Sequence, residues 1–585
     1  MLHKQNIEHI DDQFVERRKA TPASIGRIVS VTGSEAIIML DAQSINEAQA
    51  NIARPEMGAV VRIDTTNSIV FGLISGLSIP VPSQNSTEQQ EVWIAEVELV
   101  GELGPNKSGE QMKFSRGVTL YPNLGDKVYI AASHELELIY STNIDNSVSI
   151  GQLTQDPNIP AMVRVDELLG KHFAVLGSTG TGKSCTVALI FQEILKENSQ
   201  AHILLLDPHN EYASSFKDNA EVISPSDLHL PFWLLTFEEI IEILVKDKSD
   251  KETQIEILSE LIPVAKTLYG NNNTEKSSTL LRKTNSDNIG YSVDTPSPYR
   301  ISDLLRLINE RMGKLDFKKN AWSHTQLKNR IESLTQDPRY SFMFGSLTVQ
   351  DHMADVLARL FRIPVQDKPI TILQLTGLPS EVVNVVVSVL CRMTFDFALW
   401  SDGLIPITLV CEEAHRYIPV DTELGFEPTR RSIARIAKEG RKYGVSLCII
   451  SQRPSELDPT ILSQCNTVFA MRMSNERDQQ IVSAAVADAA SGLLEFLPSL
   501  GTREAIAFGD GMTLSARIRL SELDPASMPK GRTAPFTEKW RQQIGNEEFL
   551  KAVIKRWRAS SSTPVVLNET VKVDQAETNL NPNSQ

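Results

Sequence analysis

The chain has 585 residues, 41% of them hydrophobic and 22% charged, with a formal net charge of −15. That length predicts two or three domains with ample core. The acidic balance excludes a uniformly basic surface, but a basic channel inside an acidic exterior stays open. No run reads as the ~20 apolar residues of a membrane span, and the start, Met1-Leu2-His3-Lys4, lacks the apolar segment of a secretory signal. The five cysteines (185, 391, 411, 448 and 465) form no CxxC pair and read as reduced core thiols of a cytoplasmic protein.

Residues 1–20 are polar and read as an arm. From Ser24 to about Tyr140 come short β-type runs at 26–31, 36–40, 59–63, 69–74, 92–97 and 127–130, split by Gly, Pro, Asn and Ser. Strands at this spacing predict a small β-barrel or sandwich.

At 172–184 the apolar run His-Phe-Ala-Val-Leu enters Gly177-Ser-Thr-Gly-Thr-Gly182-Lys183-Ser184, with a helical stretch behind it. The spacing G-x4-G-K-S is that of a phosphate-binding loop. Gly177, Ser178, Thr179, Gly180, Thr181, Gly182 and Cys185 turn backbone N–H groups toward phosphates. Lys183 reaches the β/γ oxygens, Ser184 ligates Mg²⁺, and the helix N-terminus adds favourable potential. A glycine-rich turn without a ligand is the bland reading; strand, glycines, Lys-Ser and helix together argue for ATP.

Further strands at 202–207, 369–375, 405–411, 445–451 and 466–471 alternate with helices, which predicts a parallel, doubly wound sheet with its ligand at the strand C-termini. Between the second and third strands lie helical runs at 237–246, 252–268, 301–312, 325–335 and 349–361, read as a helical insertion. Pro263 predicts a kink, and polar 270–298 a flexible loop. Apolar helical spacing (Phe549, Val553, Trp557) stops near Ala559, ahead of a Ser/Thr/Asn/Pro/Gln tail.

Hydrolysis of ATP needs a carboxylate near Mg²⁺ and another that activates water. Cys411-Glu412-Glu413 ends a strand with both: Glu412 for the metal shell, Glu413 as base. His415 follows, as a sensor or as a structural hydrogen bonder. In Asp207-Pro-His-Asn-Glu-Tyr212, Asp207 supports the Mg²⁺ water shell and His209 and Glu211 line the nucleotide, or the segment is simply a turn. Gln452, at the end of the 445–451 strand, reads as a γ-phosphate or water sensor, or as an amide capping that strand. The basic stretch Arg430–Gly444 has one apolar face (Ile433, Ile436, Ala437), so its cations project elsewhere. Arg441 reads as a finger reaching a neighbouring copy's γ-phosphate, with Arg435 as substitute, and Arg430 and Arg431 face DNA phosphates. A solvated basic helix is the plain alternative.

Taken together, 152–160, 169–185, Asp207–Tyr212, Glu412-Glu-Ala-His415, Ala437-Lys-Glu-Gly-Arg-Lys-Tyr-Gly444, Ser451-Gln-Arg-Pro-Ser455 and 462–467 resemble the HerA branch of the FtsK–HerA translocases. The likeness implies a RecA-like doubly wound P-loop core with a helical insertion, preceded by an N-terminal β-barrel, and a C-terminal segment bracing the neighbour. It implies a homo-hexamer on double-stranded DNA, working with a nuclease or, in phage defence, a sirtuin-like effector. Two positions depart from the pattern: Asn210, where the family often has Gly, and Glu412, where P-loop ATPases usually carry Asp. The expected layout is an arm 1–20, barrel 21–150, core 151–235 and 366–520, insertion 236–365, brace 521–558 and tail 559–585. Two rivals remain at this stage: a secretion or conjugation motor acting at a membrane, and a scaffold whose main task is to assemble and activate a toxic effector.

Overall fold

The computed structural model describes residues 24–41, 55–65, 68–79, 93–105, 112–140, 146–245, 250–277, 290–313, 321–344, 350–421, 424–485, 491–531, 536–541 and 545–560. The arm and the tail past Ser560 lie outside these. The chain divides into two units, one of 1–222, 353–374 and 384–532, the other of 223–352, 375–383 and 533–585.

The first unit opens with β1 (Gly26–Val31), β2 (Glu35–Leu40), β3 (Val60–Asp64), β4 (Ile69–Ser78), β5 (Trp93–Pro105), β6 (Met112–Arg116) and β7 (Lys127–Ile130). Their order is β2-β1-β7-β3-β4-β5-β6, and β2 also pairs with β5. Six strands therefore close into a barrel, which leaves no open edge among them. Alternate residues such as Ile28, Ile38, Ile63 and Val97 fill it.

An 11-stranded sheet follows, in the order β12-β13-β11-β14-β15-β10-β16-β17-β18-β8-β9. Its members are β8 (Ser147–Leu153), β9 (Pro160–Arg164), β10 (His172–Leu176), β11 (Ile203–Asp207), β12 (Ala220–Ile223), β13 (Ile370–Gln374), β14 (Ile407–Cys411), β15 (Val445–Ser451), β16 (Cys465–Met471), β17 (Glu504–Gly509) and β18 (Ala516–Leu520). From β13 to β16 all neighbours run parallel. Strands β10, β11 and β14 are buried along their whole length, as a sheet covered on both faces requires.

Beyond β16 the pairing turns antiparallel through β17, β18, β8 and β9. This corrects the expected barrel limit of 150. Strand β8 starts at Ser147 and pairs with β18 and β9, although its sequence pattern does not distinguish it from a barrel strand. Barrel and sheet are joined by Arg116, whose Nε donates to Thr513 O (2.7 Å) and whose Nη2 donates to Gly509 O (2.7 Å) and Met512 O (2.5 Å).

The second unit holds helices Phe237–Leu244, Lys251–Ser277, Ile301–Met312 and Ala321–Gln336. Thr236 and Glu239 form a reciprocal capping box that starts the first of them. Helix Lys251–Ser277 continues past Pro263 into the stretch expected to be loop from 270, so one missing N–H does not end it. The helix Ser380–Trp400 corrects another expectation: it is long and apolar enough to cross a membrane. Within the fold, 72% of its apolar window is buried, which makes it a core helix. All five cysteines are free thiols.

Candidate nucleotide site

Strand β10 ends at Leu176, and the chain turns through 177–182 into the helix Lys183–Glu197. Gly180 (φ +77°) and Gly182 (φ +106°) occupy left-handed backbone that side chains disfavour. A Cβ on Gly177 would lie 2.8 Å from Met471 Cβ, so the loop rests directly on the end of β16. Neighbouring backbone holds it further: Gly177 N–H donates to Ser451 O (3.3 Å), Ser178 N–H to Arg472 O (3.0 Å) and Arg503 N–H to Thr181 O (3.4 Å).

Because β11, β14 and β15 run parallel to β10, their carboxyl ends gather around this loop. Lys183 is buried, with Nζ donating to Ser178 O at 3.1 Å. Burial lowers its pKa, opposed by the fields of Glu412, Glu413 and Glu211. Ser184 Oγ donates to Glu211 Oε2 at 2.9 Å. Glu412 is buried and accepts from Tyr212 Oη at 2.5 Å. Burial pushes its pKa up to about 8, and the carboxylates of Glu413 and Glu211 push the same way. Tyr212 is itself fully buried, and its hydroxyl is given to Glu412.

Glu413 is buried at φ +53°, a strained conformation for glutamate. Its Oε2 makes no hydrogen bond among the described residues. His415 Nδ1 stands 3.3 Å from Oε2, and His209 Nε2 stands 3.7 Å from Oε1. Gln452 Oε1 accepts from Thr179 Oγ1 at 2.5 Å, which places the amide on the phosphate loop.

The edge thus offers a lysine, a hydroxyl, hard carboxylate oxygens and a curled backbone. Among the described residues no cluster of three or more His, Cys, Asp or Glu could hold a metal by itself. That fits Mg²⁺, which one or two protein groups hold together with phosphate oxygens. Replacing Lys183 by Ala is expected to cut ATP hydrolysis by roughly 10²–10³-fold, read by phosphate release.

Several expected residues occupy other places. Asp207 Oδ1 accepts from His209 N–H and Glu211 N–H (both 3.2 Å) and Oδ2 from Tyr212 N–H (3.1 Å). Both oxygens help close the loop that presents Glu211 and Tyr212. The Cys185 thiol is half-buried and pushed up by burial, as suits a packing residue. The Arg435 guanidinium lies 4.1 Å over the Phe395 ring and 3.6 Å from Asp396. Arg435 is thus engaged within its own fold, where Arg441 is not. Arg430 and Arg431 each pair with Glu427 at 2.9 Å, and Arg430 also approaches Asp458 at 3.6 Å.

Arg441 is exposed in the turn Gly440–Tyr443, just ahead of β15. It forms no ion pair or hydrogen bond among those seen between described residues. Since β15 runs from Val445 toward Ser451 beside the phosphate loop, Arg441 lies at the opposite sheet edge from its own nucleotide site. Tyr212, Ser451 and Arg472 were missed as site residues. Tyr212 and Ser451 were visible in their motifs, but no sequence signal marks Arg472.

Residues 148–394 match the family described as "Helicase HerA, central domain". The DNA double-strand break repair helicase HerA of Pyrococcus furiosus is 25% identical over 521 residues, covering 79% of this chain and 84% of that protein. Its counterpart in Sulfolobus acidocaldarius is 27% identical over 444 residues, covering 75% and 81%. Among solved structures, VirB4 of Thermoanaerobacter pseudethanolicus gives a TM-score of 0.45 at 16% identity, over 66% of this chain and 98% of that one.

Proposed function

We propose that the chain is a HerA-type P-loop ATPase, a ring-forming motor that hydrolyses ATP to drive double-stranded DNA, a reading supported by the match of residues 148–394 to the HerA central domain. In this reading one copy binds the triphosphate through the 177–185 loop and Lys183, and Glu413 takes a proton from the attacking water. Gln452 senses the γ-phosphate, and Arg441 of the next copy neutralises charge developing in the transition state. Mg²⁺, held by Ser184 and Glu412, would offset charge on the β and γ oxygens.

One observation carries the shared site: the lysine and the carboxylates gather at one sheet edge while Arg441 stands exposed at the other. Self-association is further supported by Trp400 (84% exposed) and Leu404 (83%). They flank Gly403, whose added Cβ would meet Tyr443 O at 3.2 Å, so they sit beside the Arg441 turn. The exposed apolar residues Phe549, Leu550, Ile554 and Trp557 of helix Glu547–Ser560 suit a brace on a neighbour. Arg430 and Arg431 would exchange Glu427 for DNA phosphate, a contact that reads charge and not sequence.

Cytoplasmic action beside a nuclease or a sirtuin-like effector completes the reading, in line with the break-repair role in the relatives' names. The test is ATPase activity against blunt linear duplex, single-stranded DNA and no DNA, with mass in solution measured alongside. Stimulation by duplex in a hexamer is the expected result. Stimulation by single strands alone would favour a conjugation-type motor, and a monomer under every nucleotide and DNA condition would refute the ring.

A further inference from the structure

Glutamate has enough side-chain freedom that a catalytic carboxylate needs something to aim it. For Glu413 the usual device, a hydrogen bond, is missing at Oε2. What stands there is the His415 imidazole, with Nδ1 3.3 Å away and the side chain only 12% exposed. His209 on the other side is 47% exposed and 3.7 Å off, a looser restraint.

His415 is itself anchored. Its Nδ1 hydrogen-bonds Ser451 Oγ at 3.2 Å. Ser451 is fully buried, and its Oγ already accepts from Arg453 N–H at 3.0 Å. Ser451 Oγ is thus shared between the His415 ring and the Arg453 backbone, and it can hold the ring in either imidazole tautomer. Nδ1 is engaged by Ser451, in accord with the unbonded Oε2 of Glu413. The imidazole is a wall beside the carboxylate: it limits rotation and leaves the oxygen lone pairs open to a water proton. Ser451 O also accepts from Gly177 N–H of the phosphate loop. The wall is thereby tied to the element that grips the phosphates.

We propose that His415, anchored by Ser451, is the positioning residue that aims Glu413 at the attacking water. The inference rests on the reading of Glu413 as the base. The test compares full-length His415→Ala, His415→Asn and Glu413→Gln proteins by steady-state ATP hydrolysis, with binding of a fluorescent ATP analogue in Mg²⁺ as a second readout. His415→Ala is expected to lower kcat by ~10–100-fold, the scale of a misaimed catalytic group. KM and analogue affinity should stay within about threefold, since ground-state binding is untouched. His415→Asn, whose amide can still hydrogen-bond Ser451, should recover most of the rate.

A His415→Ala enzyme with wild-type kcat, beside an inactive Glu413→Gln enzyme, overturns this inference alone. A rise in KM with kcat preserved overturns it too, because that marks a binding role. An active Glu413→Gln enzyme defeats the reading beneath it. Should His415→Ala not fold, His415→Gln takes its place: it fills the space but moves the nitrogen off Ser451, and the same selective loss in kcat is required.

Discussion

Glu413→Gln is expected to lower ATP turnover by roughly 10²–10⁴-fold, the contribution of a positioned general base, while leaving ATP binding intact. The amide keeps the size and place of the side chain and removes only its ability to accept the water's proton. Lys183, Ser184 and Glu412, the groups proposed to hold the triphosphate and its Mg²⁺, are untouched by the change. Phosphate release and binding of a fluorescent analogue, measured on the same preparation, separate the two effects. Near-normal turnover would show that the base lies elsewhere.

Arg441→Ala is expected to cost about 10³–10⁵-fold in turnover, the range for an arginine finger, again without loss of nucleotide binding. The sharper test is mixing. Copies with Arg441→Ala keep a whole phosphate loop, and copies with Lys183→Ala keep a whole finger. Each is inactive alone, yet a mixed ring contains seams where an intact loop faces an intact arginine. Activity should therefore reappear on mixing and vary with the ratio. Two inactive proteins that stay inactive at every ratio would place the finger outside the 440–443 turn.

The motor core was legible because its chemistry forces its sequence. A loop that wraps phosphate needs glycines, a lysine and a hydroxyl at fixed spacing, and buried parallel strands need unbroken apolar runs. All six strands of the parallel set were anticipated, with ends differing by a residue or two. The antiparallel extension was not, because the alternation in β18 is that of any half-buried strand, shared by sheet and barrel, and β8 is broken by an irregularity between Ser149 and Gly151. Asp207 shows a second limit. A carboxylate ending a strand beside a phosphate loop reads as a metal-shell group, and only the geometry shows it also accepting three backbone N–H groups from the next five residues. Arg435 shows a third: its occupation by Phe395 and Asp396 is a contact between helices distant in sequence, which no local pattern reports.

The Arg116 clamp has a mechanical consequence. Its three carbonyl partners sit at the tip of the β17–β18 hairpin, and the other end of β17 begins beside Arg503, whose N–H meets Thr181. A strand of six residues at ~3.3 Å each is a rod of ~20 Å. A continuous hydrogen-bonded beam thus runs from the barrel to the 177–182 loop, a route by which load on one would reach the other.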